Sequence, residues 1–280
     1  MTKFLTQEMV NSYYQNGFVW PIRVLAENIA SNVRGRLEKI EKEMGGNFSG
    51  IYRSKFYLRY LWAYHLATTP AILDAVEDLI GPDILLYHNT TWFKKGGDQS
   101  YVTWHQDITY FGHEPPEVLS VWIALTHSTK ANGCMQVLPD THKLGPLPLA
   151  TPDLSEKNLL PSGQLVDYNI NSIEPIDITL KPGEASIHHA CTIHGSRPNM
   201  SKERRMGITF CFHSPHIKQR GKKRTSALLV RGSDRHGHYE IEKPPTKHES
   251  PEAIAEHERA VTLYRAKEKE LGKKTVTRFD

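Results

Sequence analysis

ILLYHNTTWF (residues 84–93) opens a part of the chain in which short segments rich in β-forming residues follow one another. Five later segments have the same character: VLSVWIALT (118–126), CMQVL (134–138), IDITL (176–180), ASIHHA (185–190) and MGITFCF (206–212). The stretches between them offer few helices that could connect parallel strands, so we expect antiparallel pairing. We therefore predict a mainly β fold with flanking helices, whose core is a double-stranded β-helix, the cupin-like jelly roll.

Helical spacing marks the first third of the chain and its last part. Apolar residues recur every three or four positions in residues 24–44, and Gly45-Gly46 ends that pattern. Thr6 is a suitable N-cap, and Pro70 suits a first helical turn because its missing N–H costs no hydrogen bond there. We predict four helices, at residues 6–16, 24–44, 70–80 and 251–271.

These patterns indicate one domain over residues 1–280. Within it we expect a helical N-terminal support (1–83), a jelly-roll core (84–213) and a C-terminal loop and helix (214–280). The stretch 144–175 is rich in Pro, Leu, Asn and Asp, lacks a clear period and is long for a simple connection. We interpret it as a functional loop or lid.

Composition and charge give a default for partners and location. Lys and Arg number 35 against 31 for Asp and Glu, an excess too small to indicate nucleic-acid or membrane binding. The three cysteines lack a C-x-x-C spacing and are interpreted as reduced thiols. No apolar run of signal-peptide or membrane-spanning type occurs, and the last residues, TRFD, are not a peroxisomal S-K-L address. We expect a cytoplasmic protein that acts on a small-molecule substrate, without nucleic-acid or membrane partners; a homo-oligomer is compatible with the sequence.

Residues 104–107, WHQD, contain the pair H-x-D. On an extended chain, residues i and i+2 point to the same side, so His105 and Asp107 can bind one cation together. In a chain with fifteen histidines such a pair is expected by chance. It indicates a metal site only if a third ligand is found. His194, in IHGSRPN, would complete a face of two imidazoles and one carboxylate, which leaves positions on iron(II) open for a 2-oxo acid and O2.

An enzyme that uses 2-oxoglutarate also needs a cation for the distal carboxylate of that co-substrate. Arg205 is the best candidate, because a guanidinium group can donate two parallel hydrogen bonds to a carboxylate. Strand alternation in 205–212 places Arg205 on a polar face with Thr209, and it places Met206 and Phe210 on the apolar face. Arg204 points away from Arg205 by the same alternation.

Three segments together resemble the phytanoyl-CoA dioxygenase (PhyH) family: WHQDITYFG, VWIALTHSTKANGCMQVLPDTHK and HHACTIHGSRPNMSKERRMGITF. The resemblance covers roughly residues 10–240, and it implies that His105, Asp107 and His194 bind iron. The ordered set of motifs is far more specific than any one of them.

The resemblance also bears on the third ligand, for which His188 and His189 compete with His194. In the family an Arg lies eleven positions after the distal His, and that count leads from His194 to Arg205. The count fits neither alternative, so His194 is favoured.

Further contacts with 2-oxoglutarate follow from the resemblance. Trp122 corresponds to the family's Trp on the strand after H-x-D, and Ser196 corresponds to a Ser near the distal His. His88 lies in a region that matches another co-substrate contact. The chain departs from the family at Asp140, where a Gly is common, which puts only the local turn in doubt.

The residues and the resemblance together predict an Fe(II)- and 2-oxoglutarate-dependent dioxygenase that consumes O2 and releases succinate and CO2. The expected reaction is hydroxylation of an unactivated C–H bond in a small metabolite or natural-product intermediate. Asp107 favours hydroxylation or another oxidation over halogenation, because related halogenases have a small residue at that position. Two alternatives stay open: a non-redox metal-dependent hydrolase or isomerase on a cupin-like barrel, for which Arg205 would be dispensable, and a non-catalytic binding protein of the same fold.

Overall fold

The computed structural model describes residues 2–46 and 53–272. Its helices are α1 (Gln7–Asn16), α2 (Glu27–Glu43), α3 (Leu61–Ala67), α4 (Pro70–Ile80), α5 (Ile108–Phe111) and α6 (Pro251–Glu270). Its strands are β1 (Phe18–Arg23), β2 (Ile84–Lys94), β3 (Val102–His105), β4 (His113–Glu114), β5 (Leu119–Ala124), β6 (Met135–Val137), β7 (Ile176–Ile178), β8 (Glu184–His189), β9 (His194–Ser196), β10 (Arg205–His213), β11 (Lys218–Gln219), β12 (Ser226–Arg231) and β13 (Glu240–Ile241). The TRFD segment used in the prediction of location lies outside the described residues.

The four predicted helices are confirmed, and their ends follow the expected capping chemistry. Thr6 accepts a hydrogen bond from the Met9 N–H at the start of α1, and Gly17 ends that helix with a φ of 87°. Pro70 opens α4. The second helix begins at residue 27 rather than 24, because the N–H groups of Val24 and Leu25 are bound to the Gly183 carbonyl instead.

A seven-stranded sheet forms the larger layer, in the order β1-β8-β5-β10-β2-β12-β13. All neighbouring strands in it run antiparallel except the final pair, β12 with β13. The long strand β10 lies between β5 and β2 and pairs with both. The predicted antiparallel arrangement is therefore confirmed.

A smaller sheet, β3-β9-β6-β7, faces the larger one. Apolar side chains from both sheets meet between them, including Phe18 and Trp122 from the larger sheet and Met135, Val137 and Ile178 from the smaller one. Two antiparallel sheets packed face to face make the double-stranded β-helix of a jelly roll, as predicted. The short strands β3 and β9 bring the H-x-D pair and its distal histidine into this smaller sheet.

The N-terminal helices cover the outer face of the larger sheet. Ile208 and Phe210 of β10 and Val121 of β5 pack in one apolar cluster with residues such as Ile72 of α4 and Leu37 of α2. Because side chains alternate along a strand, the neighbours of these residues point into the space between the sheets. The interior face is thus free for polar groups.

Three strands of the larger sheet, β1, β12 and β13, were not predicted from the sequence. All three lie outside the predicted core boundaries of 84–213, and β1 interrupts the region predicted as a helical support. Pro21 within β1 argued against a strand there, but β1 is an edge strand, where a missing N–H is tolerated. The single-domain organisation stays a prediction.

Among the residues with described structure, no helix is both long enough and apolar enough to cross a bilayer.

Candidate functional site

The two histidines and the aspartate predicted as ligands meet between the sheets. β3 and β9 are antiparallel neighbours, and His105 lies directly opposite His194 in their register. The ring centroids of these histidines are 4.1 Å apart. Their Nε2 atoms lie 3.5 and 3.8 Å from Asp107 Oδ1, and one potential ligand atom from each of the three residues lies within 4.8 Å of the others. This geometry can hold one divalent cation.

Backbone carbonyls orient both imidazole rings. His105 Nδ1 lies 2.9 Å from the Thr103 carbonyl oxygen, and His194 Nδ1 lies 3.0 Å from the Thr192 carbonyl oxygen. A carbonyl oxygen can only accept, so Nδ1 carries the proton in each ring and the Nε2 lone pair faces Asp107. Histidine ligands of metals are commonly fixed in this way by the nitrogen that does not bind the ion.

The two oxygens of Asp107 have different neighbours. Oδ1 faces the Nε2 atoms of His105 and His194, whereas Oδ2 accepts a hydrogen bond from Ser120 Oγ at 2.7 Å and lies 3.3 Å from His188 Nε2. Burial raises the pKa of Asp107, but the surrounding imidazoles lower it by more. The pKa of Asp107 therefore lies well below its ordinary value. Burial also holds the pKa of His194 well below 6.5, so a carboxylate and a neutral imidazole are present at neutral pH.

His188 and His189, the alternatives for the third ligand, have other positions. His188 lies on β8 in the opposite sheet and approaches the far oxygen of Asp107. His189 Nδ1 accepts a hydrogen bond from the Cys191 N–H, and its ring packs near Tyr13. The structure thus groups His194, rather than either alternative, with the H-x-D pair.

Arg205 lies at the other end of the same cavity and is almost completely buried. Its Nη1 donates to the Gly133 carbonyl oxygen at 2.7 Å, while its Nε, within the described part of the chain, has no hydrogen-bond partner. Burial lowers the pKa of Arg205 to about 10, which leaves the group cationic at neutral pH. Its guanidinium carbon lies 5.6 Å from the ring centroid of Trp122, and Ser196 lines the cavity beside it.

Strand alternation placed these residues correctly. Arg205, Thr209 and Cys211 line the cavity, whereas Met206 and Phe210 lie in the apolar cluster on the other face of the sheet. Arg204 points away, and its Nη2 donates to both carboxylate oxygens of Glu41 at 2.7 Å.

His88 also lines the cavity. It pairs with Cys211, near the opposite end of β10 from Arg205, and its ring stacks on Tyr264 of α6 at 4.7 Å. A contact between His88 and 2-oxoglutarate stays a prediction.

The outer part of the cavity is built from regions that the sequence analysis did not connect with the site. Val261, Tyr264, Arg265 and Glu268 of α6 line it, together with Leu160, Pro161 and Ser162 from the loop 144–175. Phe111 adds an aromatic side chain just after the H-x-D pair. No motif in the sequence links α6 to the metal ligands, so only the fold shows that it covers this cavity.

Iron and 2-oxoglutarate fit the residues present. The donor set of two imidazoles and one carboxylate can occupy one side of a cation and leave the other side open, as iron(II) oxygenases require. Arg205 lines the cavity, and its buried Nε, which has no hydrogen-bond partner among the described residues, is a donor that suits the carboxylate of an oxo acid.

A jelly roll with this donor set and a buried arginine in one cavity is the arrangement expected of a non-haem Fe(II)- and 2-oxoglutarate-dependent oxygenase. Comparison of sequences leads to the same class. Residues 13–207 match the phytanoyl-CoA dioxygenase (PhyH) family. The chain belongs to that family.

Individual relatives carry related names. The chain is 33% identical to the peroxisomal phytanoyl-CoA dioxygenase of Bos taurus over 155 residues. This alignment covers 53% of this chain and 45% of the bovine protein. The chain is 29% identical over 140 residues to a Stutzerimonas stutzeri protein named "Probable alpha-ketoglutarate-dependent hypophosphite dioxygenase", covering 50% and 49% of the two chains. The matched part thus spans about half the length of these curated relatives.

Solved structures share the fold over most of their length. The non-heme monooxygenase ThoJ, without ligand, superposes with a TM-score of 0.84 at 27% identity, covering 94% of this chain and 98% of ThoJ. CytC3 with Fe(II) and alpha-ketoglutarate superposes with a TM-score of 0.62 at 22% identity, covering 89% and 97%. The second likeness concerns the fold alone.

Proposed function

We propose that the chain is an Fe(II)- and 2-oxoglutarate-dependent dioxygenase that hydroxylates an unactivated C–H bond of a small metabolite or natural-product intermediate. One observation carries the proposal: His105, Asp107 and His194 converge in a buried cavity that also contains Arg205. Family membership supports the same reaction class.

His105 Nε2, His194 Nε2 and Asp107 Oδ1 would hold the iron. When bound, Fe(II) with 2-oxoglutarate and O2 would supply the oxidising power for C–H cleavage, with release of succinate and CO2. The protein contributes geometry and the exclusion of water. The carbonyls of Thr103 and Thr192 keep both imidazoles in the tautomer that presents Nε2.

Arg205 would bind the distal carboxylate of 2-oxoglutarate, with Ser196 as a second donor and Trp122 as a wall of the site. The ring of Trp122 lies under the guanidinium group, which limits its freedom to move. His88 is assigned to the co-substrate side as well, from its place in the family's pattern.

Hydroxylation is favoured over halogenation because Asp107 occupies the third ligand position. Its Oδ1 faces both histidines, and Ser120 restrains its other oxygen. A halide would need that position to be vacant.

The substrate would enter past α6 and the loop 144–175. Phe111, Val261 and Tyr264 offer apolar contacts near the metal ligands, while Arg265 and Glu268 add charges further out. A cavity between two sheets suits a small molecule rather than a polymer. The absence of nucleic-acid and membrane partners, a cytoplasmic location and the oligomeric state, including a homo-oligomer, stay predictions.

The test is anaerobic reconstitution with Fe(II) and 2-oxoglutarate, followed by addition of O2. The proposal expects the visible metal-to-ligand charge-transfer band of a bound 2-oxo acid and then formation of succinate. Well-folded protein that gives neither signal would reject it.

Variants of Asp107 and Arg205 separate the alternatives in that assay. Asp107→Ala should lose succinate formation, and full activity in it would contradict the ligand assignment. Turnover that needs a metal but neither 2-oxoglutarate nor Arg205 would indicate the hydrolase or isomerase. Absence of any turnover or iron dependence would indicate a binding protein.

A further inference from the structure

Lys94, the last residue of β2, is fully buried behind the site assigned to the co-substrate. It lies opposite Arg205 in the register of β2 and β10. Its Nζ lies 2.7 Å from Ser196 Oγ and also donates to the Arg197 carbonyl oxygen. Lys94 therefore contacts the strand that carries a proposed iron ligand, although it has no part in the motifs of the sequence.

Lys94 and Arg205 place two basic side chains at one end of the cavity. Their hydrogen-bond acceptors are a hydroxyl oxygen and backbone carbonyl oxygens rather than carboxylates. Burial and the charge of Arg205 lower the pKa of Lys94 to about 6. An anion bound nearby would favour the charged form of Lys94 for the same electrostatic reason. This end of the cavity is thus built to receive negative charge.

The contact with Lys94 also determines which way the Ser196 hydroxyl donates. When a bound anion keeps Lys94 charged, its ammonium group has donors only, so Ser196 Oγ must accept from it. The hydroxyl proton of Ser196 is then left for another acceptor. Ser196 lines the same cavity as Arg205, and this proton can therefore point toward a carboxylate held there.

Lys94 also affects the Gly133 carbonyl, which is the hydrogen-bond acceptor of Arg205. The Arg197 carbonyl that accepts from Lys94 packs tightly on Gly133, where a side-chain carbon would lie 2.3 Å from that oxygen. The carbonyl of Gly133 in turn accepts from Arg205 Nη1. Lys94 thereby helps to hold the turn against which the Arg205 side chain is fixed.

We propose that Lys94 is a positioning residue of the oxo-acid site, which fixes Ser196 as a donor and, with Arg205, selects an oxo acid that carries a second carboxylate. The inference rests on the proposed function. It assigns Lys94 no contact with the metal or with the substrate. Lys94 is proposed to affect how strongly the site prefers 2-oxoglutarate, a dicarboxylate, over an oxo acid of the same length that lacks the distal charge.

The experiment measures anaerobic binding of two oxo acids to the Fe(II) protein through the charge-transfer band. The two probes are 2-oxoglutarate and 2-oxopentanoate, which differ in the distal carboxylate alone. Lys94→Met removes the charged end and keeps an unbranched side chain that is one atom shorter. Loss of a charge-assisted contact should weaken 2-oxoglutarate binding ~10- to 100-fold. Binding of 2-oxopentanoate should change by less than about twofold, so that the preference between the probes falls.

Controls separate positioning from general damage. Lys95→Met changes the exposed neighbouring lysine and should leave both affinities unchanged. Lys94→Gln, which keeps donors without the charge, serves if Lys94→Met does not fold, and it should show a smaller loss of 2-oxoglutarate affinity. Ser196→Ala added to Lys94→Met should weaken binding less than Ser196→Ala alone, because the two residues act through one hydroxyl.

The possible failures are distinct. A wild-type protein without a charge-transfer band would reject the proposed function and this inference together. A normal wild-type band with unchanged 2-oxoglutarate affinity in Lys94→Met would reject the inference alone. Equal losses for both oxo acids would also reject it, because they would show a general structural effect.

Discussion

The side chains around Asp107 illustrate how single residues divide the work of the site. One carboxylate oxygen faces the two histidines, and the other is held by Ser120 and His188 from the opposite sheet. A carboxylate restrained in this way can offer one oxygen in a fixed direction. Partners of this kind commonly affect metal affinity nearly as strongly as the ligands do.

Replacing Ser120 tests this restraint. Ser120→Ala removes the 2.7 Å hydrogen bond to Oδ2, and we expect affinity for Co(II), a stand-in for Fe(II), to fall ~10- to 100-fold in calorimetric titrations. Ser186→Ala is a matched control, because Ser186 is equally buried in the same sheet and its Oγ has no partner in the described parts of the chain. Equal affinities for the two variants would show that Ser120 does not restrain Asp107.

Gly207 leaves room for Trp122. A Cβ at residue 207 would lie 2.1 Å from the indole ring, and Arg205 lies over that ring. Gly207→Ala should displace the indole and weaken 2-oxoglutarate binding ~10-fold or more, measured by the charge-transfer band. Gly35→Ala, in open space on α2, is the control and should leave binding unchanged. A displaced Trp122, seen as altered fluorescence, without loss of binding would show that the ring is not part of the site.

Residue-level prediction from the sequence succeeded where the argument was local. The i, i+2 rule paired His105 with Asp107, and alternation separated Arg205 from Arg204. Asp140 has a φ of 65°, a conformation that favours glycine, which explains why the family commonly has a Gly at this turn. Ser120, His188 and Lys94 could not be assigned, because their partners come from distant strands.

At the scale of elements, the register between strands builds the site. His105 and His194 are neighbours because β3 pairs with β9, and Lys94 meets Arg205 because β2 pairs with β10. Composition predicted β2, β5 and β10, but not the register, the edge strand β1 or the three-residue strand β9. Short strands contain too few residues for a period of two to be distinguished from a turn.

The segment after residue 52 is anchored by a buried ion pair. Lys55 has a φ of 52°, and its Nζ donates to Glu242 Oε1 at 2.7 Å and to the carbonyl oxygens of Tyr87 and Ser226. Tyr57 donates to the other oxygen of Glu242. The neighbouring Arg53 and Ser54 line the cavity, so this pair connects fold stability with the shape of the site.

Lys55→Met leaves the Glu242 charge buried without its cation. We expect a loss of about 3–5 kcal/mol in the free energy of unfolding, measured by urea denaturation. Adding Glu242→Met should restore part of it, because two apolar side chains replace an unpaired charge. Lys39→Met, at an exposed i,i+4 pair with Glu43, should cost ~0.5 kcal/mol or less. A small loss in Lys55→Met would mean that the pair is not needed for stability.

At the scale of the whole molecule, the family's jelly roll carries the metal and co-substrate residues, while a later segment completes the cavity. The family match ends at residue 207, and α6 lies well beyond it. Tyr264 of α6 nonetheless packs on His88, and both residues line the cavity. The order of helices followed by strand-rich segments predicted the fold class. No local pattern in the sequence indicated that α6 lines the cavity.

Tyr264→Ala should therefore affect the substrate more than the co-substrate. For any compound that stimulates succinate release by the wild-type protein, we expect KM to rise ~10-fold, while any loss of 2-oxoglutarate affinity, through the contact with His88, is smaller. Tyr264→Phe keeps the ring and should retain a KM close to that of the wild type. A change in 2-oxoglutarate affinity without a change in KM would show that Tyr264 belongs to the co-substrate site and not to the substrate site.

The central claim is that His105 of β3, Asp107 two residues further on and His194 of β9 hold one iron, with Arg205 at the far end of its co-substrate. The most direct test is a crystal structure of the anaerobic Fe(II) and 2-oxoglutarate complex, with the iron located by anomalous scattering. The account predicts iron at about 2.1 Å from His105 Nε2 and His194 Nε2, bound also by Asp107, and a carboxylate of 2-oxoglutarate on Arg205. Iron elsewhere in the molecule, or bound by His188 in place of His194, would contradict it.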